Sequence, residues 1–509
     1  MQEYDLIVVG TGAANIVADA ALEAGQRVAL VEKDRWGGTC LNRGCLPTKV
    51  LTTMADYVRA GEQLLGHGLE EPLPTVNWQS LGSRAWDKID ENIDVLEWYQ
   101  SQGAGTFTGR AYFIDRNVLR VDLKDGGAVD LTAKTIVLAN GARTNIPLIK
   151  GLANTPYSNS ERFFSQRSDW WEAIPKRIAI LGGGTISAEF AHIFAAAGSQ
   201  VTILQRNVRL LPKHDADISA GLKQNMERQG IRVELAVDVL EANYDGTFQI
   251  RYKKRREHTE ETLETDMFFL APGVVSNADT LDLSKTEVAV DEWNYIRSNE
   301  FLETTQEGVY ALGDINGRLQ FRHKANYEAE VLAWNLYQRG NEAPRWVLQD
   351  AIPDVTYTSP QVASVGMTEE AARSRFPAQE LDVAFSPYHL TGKGFALGYE
   401  QEDEAWVKLI VHRPEQRILG VHIMGYEASS LIQSFIYLIN SRPRALEVIE
   451  PEIQTAFSAG VRAEKPVFTP EPWTSRFMDL TLTPHPSLVE VATWATEYLE
   501  PVHFEIEDQ

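Results

Sequence analysis

Leu6-Ile7-Val8-Val9-Gly10-Thr11-Gly12-Ala13-Ala14-Asn15 is an apolar run that breaks into a glycine turn, and an alanine-rich stretch follows it to Ala24. A short buried strand, a tight turn and a helix satisfy this pattern. A second apolar run, Arg27 to Val31, ends at Glu32 and Lys33, which puts an acidic residue about 20 positions beyond the turn. Strand, glycine turn, helix, strand and acid, in that order, form a dinucleotide-binding unit. Gly10 permits the turn, Gly12 lets the backbone approach a pyrophosphate at the helix N-terminus, and Glu32 suits an adenosine ribose. Asn15 stands at the third glycine position, so helix and strand are expected to pack differently there.

The unit recurs downstream. Arg177 to Leu181 reads as a strand, Gly182-Gly183-Gly184-Thr185-Ile186-Ser187 as its turn, Ala188 to Ala197 as the helix and Val201 to Leu204 as the next strand. This strand runs into Gln205 and Arg206, with Arg209 nearby. A cation there suits a ribose 2′-phosphate where a carboxylate would repel it. NADPH is therefore the expected nicotinamide donor and NADH the alternative; the plainer alternative for the arginines is a solvated helix end.

Between the two units lies Gly37-Gly38-Thr39-Cys40-Leu41-Asn42-Arg43-Gly44-Cys45-Leu46-Pro47-Thr48-Lys49, which holds the only two cysteines in 509 residues. Thiols this close seldom form a structural disulfide, and a zinc site would need two further ligands nearby, so no metal is expected. With Cys45 in the first turn of a helix starting near Gly44, unpaired N–H groups and the helix dipole favour a thiolate there and leave Cys40 free to swing outward. A dithiol that closes to a disulfide stores two electrons. Two dinucleotide sites, one for a flavin and one for a nicotinamide, give those electrons a path. Two unrelated buried cysteines are the bland alternative.

The formal net charge of −23 argues against nucleic acid and against an anionic membrane surface as partners. No basic leader precedes Leu6, and no apolar run approaches the ~18 residues of a membrane span. A cytoplasmic location is expected, where a redox-active cysteine pair is more plausible than a structural one.

These residues resemble, nearly end to end, the flavin-dependent pyridine nucleotide–disulfide oxidoreductases. Gly37 to Lys49 is similar to that family's redox motif, Thr304 to Asp314 to its second flavin motif, Tyr357 to Thr368 to the entry of its dimerisation domain, and Pro484-His485-Pro486-Ser487-Leu488-Val489-Glu490 to its His-Pro-x-x-x-Glu motif. The resemblance implies FAD held at Gly10, Gly12, Ala13, Ala14, Glu32, Lys33, Gly38, Thr39, Ala139, Gly141 and Gly313, with Asp314 on the ribityl chain and the backbone at His323 to Ala325 by the pyrimidine end. It implies a nicotinamide dinucleotide at Gly182, Gly184, Thr185, Ile186, Gln205, Arg206 and Gly273. Lys49 and Glu189 would pair beside the flavin, an arrangement costly for stability alone and suited to tuning charge. Cys40 and Cys45 would be the redox pair. His485 would be the acid–base, supplied by the partner subunit and oriented by Glu490. His192, His412 and His422 are read as structural.

Within the family, Val275 to Asp279, His422 to Gln433 and His485 to Val491 are more similar to the mycothione reductase branch than to dihydrolipoamide dehydrogenase. Val274, where an arginine is usual, and Asn140 depart from the pattern. So does the run Arg442 to Asp479, which carries Pro443, Pro451, Pro466, Pro470 and Pro472. It is expected to form an added helix from Ala445 to Phe457 and a proline-rich loop.

The expected fold class is α/β, with two Rossmann-like domains and a C-terminal α+β dimerisation domain. Residues 1–150 and 280–348 would bind FAD, 151–279 NAD(P), and 349–509 would form the interface, with the added segment near 442–479. Leu409 to His412 and Ile418 to Ile423 are expected as antiparallel strands, and Lys253 to Glu264 as a solvated hairpin edge. The expected function is a homodimeric FAD-dependent reductase that passes electrons from NADPH through the flavin and the Cys40–Cys45 disulfide to a low-molecular-weight disulfide. Cys40 attacks, His485 protonates the leaving thiol and Cys45 resolves. The alternatives are a dihydrolipoamide dehydrogenase, oxidising its dithiol with NAD, and a redox-sensing flavoprotein without small-molecule turnover.

Overall fold

Strand Gln2–Val9 is the axis of the first sheet, paired in parallel with Val28–Glu32 on one side and with Ala128–Leu138 on the other. In this computed structural model, which describes residues 1–165, 171–348 and 351–498, Leu6, Ile7 and Val8 are each 0% exposed. Their unbroken apolar run follows from a parallel sheet covered on both faces. Helices Asn15–Glu23 and Arg322–Ala333 cover one face. The antiparallel ribbon made by Gly105–Asp115, Val118–Leu123 and Ala128–Leu138 covers the other. Val309–Ala311 returns from far downstream to add a parallel strand beside Ala128–Leu138.

The second sheet runs Met267–Leu270, Arg177–Leu181, Gln200–Gln205 and Arg232–Leu235, all parallel. A three-stranded antiparallel layer, Val237–Tyr244, Phe248–Lys254 and Thr259–Thr265, closes one face. The charged run from Lys253 to Glu264 lies in its outer hairpin. Both glycine turns are pressed against the end of a neighbouring strand. A Cβ on Gly10 (φ +98°) would stand 2.4 Å from Ala139 O, and one on Gly182 (φ +116°) 2.2 Å from Ala271 O. Positive φ and contact with backbone leave room for glycine alone.

The third sheet is antiparallel, in the order Asp354–Thr356, Gln361–Gly366, Arg417–Gly425, Trp406–His412, Leu381–Pro387, and helix Ala428–Asn440 packs on it. The expected domain boundary at residue 349 and the C-terminal end at 499–509 lie outside the described residues. The helix expected from Ala445 to Phe457 does not form. Arg444–Ala445 instead pairs with Val467–Phe468, Glu450 takes φ 51° just before Pro451, and the helix runs Ala456–Glu464 behind a Thr455–Ser458 capping box. Proline and a left-handed residue break the earlier start, and the threonine side chain satisfies the free N–H groups of the later one. No helix among the described residues is long and apolar enough to cross a membrane.

Candidate active site

Two short elements carry the cysteines. Helix Gly38–Arg43 ends at Gly44, and the 20-residue helix Cys45–Leu64 starts immediately after it. Both cysteines are free thiols. Cys40 Sγ is 3.1 Å from His485 Nε2, and the ligating atoms of Cys40, Cys45 and His485 all lie within 4.8 Å of one another. His485 Nδ1 is 2.6 Å from Glu490 Oε1, while Glu490 Oε2 accepts from the Ser487 N–H at 2.9 Å. The carboxylate thus fixes the ring so that Nε2 faces the sulfur.

The electrostatics assign the proton within the pair. Burial works against a charged His485, but hydrogen bonds and charges from Cys45 and Glu490 outweigh it and raise its pKa to about 9. The Cys45 hydrogen bond, then Arg322, hold the Cys40 thiol below its ordinary value despite burial. Cys45 is pushed well above, first by its bond to Cys40 and then by burial. This reverses the thiolate expected at Cys45. A helix N-terminus favours an anion there, but the hydrogen bond between the two sulfurs, together with burial of Cys45, favours the proton on Cys45 and the charge on Cys40. The structure thus brings Cys40, Cys45, His485 and Glu490, all four expected from the sequence, to one place.

Lys49, one turn along the helix from Cys45, reaches Glu189 Oε2 at 3.2 Å. Glu189 Oε1 accepts from the Tyr357 N–H at 3.0 Å, and Lys49 Nζ lies 3.8 Å from the Tyr357 ring centroid. Tyr357 therefore ties the dimerisation sheet to this pair. Sequence reasoning passed over it as part of a motif's entry, and only its neighbourhood marks it. Glu328 was missed as well. Its side chain, 0% exposed, accepts from the Gly313 N–H at 2.7 Å and pairs with Lys324 Nζ at 2.8 Å. It thereby holds the turn that presents Asp314; a Lys–Glu pair four apart on an apolar-faced helix was the available signal.

A continuous cleft of about 2620 Å³ joins both glycine turns to the cysteines. Gly10, Gly12, Ala13, Glu32, Lys33, Gly38, Thr39, Ala139, Gly141, Gly313, Asp314, His323 and Ala325 line one part. Gly182, Gly184, Thr185, Ile186, Gln205, Arg206 and Gly273 line another, and Cys40, Cys45, Lys49, Glu189 and His485 line the cleft as well. Ala14 and Glu490 do not line it: Ala14 is packed in the core, and Glu490 stands behind His485. Glu32 is already engaged, accepting from Thr11 N at 3.1 Å and Thr11 Oγ1 at 2.9 Å. His192, His412 and His422 pair elsewhere, with Asp56, with Glu380 and with Ser364 respectively.

The donor set fits FAD. Asn140 Oδ1 and His323 Nδ1 are buried on residues of the cleft wall without a protein partner, and burial pushes the Asp314 carboxyl up to about 6. Polar groups in this state suit a hydroxyl- and nitrogen-bearing ligand. The Gly182 turn, with the exposed Arg206 at its rim, fits a nicotinamide dinucleotide in the same way.

Comparison with known proteins agrees with this geometry. Residues 4–329 match the family described as pyridine nucleotide-disulphide oxidoreductase, and 352–450 match its dimerisation domain. The chain is 31% identical over 478 residues to a mycothione reductase of Mycobacterium tuberculosis, covering 88% of this chain and 95% of that one. It is 30% identical over 448 residues to a glutathione reductase of Burkholderia cepacia, covering 87% and 94%. A solved Cu(II) complex of the HOCl-induced flavoprotein disulfide reductase RclA from Escherichia coli superimposes with a TM-score of 0.71 at 25% identity, over 98% of this chain and all of that one. Members of the family are enzymes that use FAD and NAD(P)H, and this chain belongs to the pyridine nucleotide-disulphide oxidoreductases.

Proposed function

We propose that the chain is a homodimeric, NADPH-dependent reductase of a low-molecular-weight disulfide of the mycothiol-disulfide type. The observation that carries this reading is the Cys40–His485–Glu490 chain, with 3.1 Å and 2.6 Å between successive partners. A thiolate, an acid and the acid's orienting carboxylate stand in line beside a second thiol.

Gly10, Glu32, Asp314 and the 323–325 backbone would hold FAD, and Gly182, Gln205 and Arg206 the nicotinamide dinucleotide. When bound, FAD supplies the two-electron relay from NADPH that keeps the cysteine pair reduced. The Cys40 thiolate attacks one sulfur of the substrate, forming a Cys40–S bond as the substrate's S–S bond breaks. His485, charged below about pH 9, protonates the departing thiolate. Cys45 then gives its proton to the now neutral His485 and attacks Cys40 Sγ, breaking the mixed disulfide, and His485 passes that proton to the second departing thiolate. The second thiol leaves and the Cys40–Cys45 disulfide holds the two electrons' worth of oxidation. Lys49, one turn along the same helix from Cys45, is held by its pair with Glu189.

A steady-state assay of NADPH against NADH with mycothiol disulfide, glutathione disulfide and lipoamide tests the reading. Selective NADPH-dependent turnover of mycothiol disulfide supports it. Preference for NADH and lipoamide would replace it with a dihydrolipoamide dehydrogenase, and cycling of the cysteines with no turnover would favour a redox sensor.

A further inference from the structure

Two helices start at the two working ends of the cleft. Cys45–Leu64 begins with a redox thiol, and Thr185–Ala196 begins at the glycine turn Gly182 to Gly184. Cys45 and Lys49 of the first line the cleft, as do Thr185 and Glu189 of the second. Further back the two helices meet through small apolar groups, Ala55 and Val58 of one clustering with Ala196 of the other. Apolar contact is non-directional and alanine presents shallow ridges, so packing alone holds the register of these helices weakly.

Among the described residues, two polar links join them. Lys49 and Glu189 pair at the cleft, 3.2 Å apart. Two turns further along the first helix, His192 Nε2 stands 2.9 Å from Asp56 Oδ1. A carboxylate can only accept, so Nε2 carries the hydrogen. His192 is 1% exposed, and its Nδ1 is buried without a protein partner. The bond to Asp56, whose side chain is 36% exposed, is therefore the ring's single hydrogen bond among the described residues. Because Lys49 and Asp56 meet Glu189 and His192 in the same chain order, the helices run parallel, with both N-termini at the cleft.

We propose that Asp56 and His192 are positioning residues for electron transfer, the second of two pins that hold the nicotinamide turn at a fixed distance from Cys45. The inference rests on the reading of the Gly182 turn as the nicotinamide site, and it needs no disulfide substrate. A single link leaves a helix free to pivot about it. A second directional link, about 10 Å further along the axis, removes that freedom. Transfer between bound groups requires reacting atoms within about 3.5 Å, and a misplacement of about 1 Å costs up to roughly a hundredfold in rate. His192, read from the sequence as structural, thus acts through what the two helices carry.

Stopped-flow reduction of the bound flavin by NADPH, with no disulfide present and at equal flavin content, tests this. Asp56→Ala should lower the limiting rate roughly tenfold, while the NADPH concentration at half-maximal rate changes less than about twofold. His192→Phe, which fills the space without the donor, should behave alike. Asp56→Asn, whose amide oxygen still accepts from Nε2–H, should stay within about twofold of the parent. The visible circular dichroism of the bound flavin should change in Asp56→Ala and not in Asp56→Asn, because the Lys49–Glu189 pair moves with the helices. An unchanged rate and spectrum in Asp56→Ala or His192→Phe, a loss confined to the half-saturating concentration, or an equal loss in Asp56→Asn would overturn the proposal. A parent flavin that neither NADPH nor NADH reduces would count against the proposed function, while the dichroism would still decide the second pin.

Discussion

Replacing Glu490 by glutamine isolates the acid. The carboxylate has two jobs, one oxygen 2.6 Å from His485 Nδ1 and the other accepting from the Ser487 N–H at 2.9 Å. An amide can accept only one of these bonds and carries no charge. A charge-assisted bond of this kind is worth roughly 2 kcal/mol, which lowers the upper limb of the pH profile by between one and two pH units. With the His485 pKa raised to about 9, that limb is expected there in the parent enzyme. His485 has a raised pKa, so the protonated acid is fully present at low pH and is lost as pH rises through that value; the variant loses it earlier. For an alkyl disulfide, kcat/KM of Glu490→Gln should be roughly fourfold lower than the parent at pH 8 and nearly equal at pH 6. An aromatic disulfide such as dithiobis-nitrobenzoate, whose thiolate leaves without a proton, should show no such difference. The assay is NADPH consumption across the pH range with both substrates. Equal losses for the two, or an unmoved limb, would refute the assignment of His485 as acid.

Three further outcomes are expected. Arg206→Ala should raise KM for NADPH roughly ten- to hundredfold with kcat little changed and NADH kinetics unaffected, as initial rates with both nucleotides would reveal. Lys49→Met leaves Glu189 charged and half-partnered beside the Tyr357 N–H. It should cost roughly 3 kcal/mol in urea unfolding, and Lys49→Met combined with Glu189→Gln should recover part of that. The three soft and borderline ligands within 4.8 Å should let Cd²⁺ or Zn²⁺ inhibit the NADPH-reduced enzyme but not the oxidised one, reversibly on addition of a chelator.

The two dinucleotide units were legible because glycine at positive φ is a local requirement with a local signature. Gly10 and Gly182 carry it, and the strands on either side needed no distant information. The thiol pair was equally visible as residues, but its charge distribution was not. Cys45 sits where a helix favours an anion, and burial, Arg322 and the close approach of the two sulfurs, none of which the spacing shows, favour the charge on Cys40 instead. Distance along the chain hid the docking of the added segment, whose Arg462 pairs with Glu300. Its proline content signalled irregular chain, and the Thr455–Ser458 cap was readable in principle. The buried Glu300 that receives Arg462 looks in sequence like any surface acid. Tyr357 escaped notice for a similar reason, since its role depends on Lys49 and Glu189 meeting beneath it.

The most direct test of the central claim, that Cys40 exchanges with substrate while Cys45 stays behind it, is peptide mapping after alkylation. NADPH-reduced enzyme would be treated with a single equivalent of iodoacetamide at neutral pH. The account predicts label on the Cys40 peptide, an unmodified Cys45 and loss of disulfide turnover. Label on Cys45 with Cys40 untouched would contradict it.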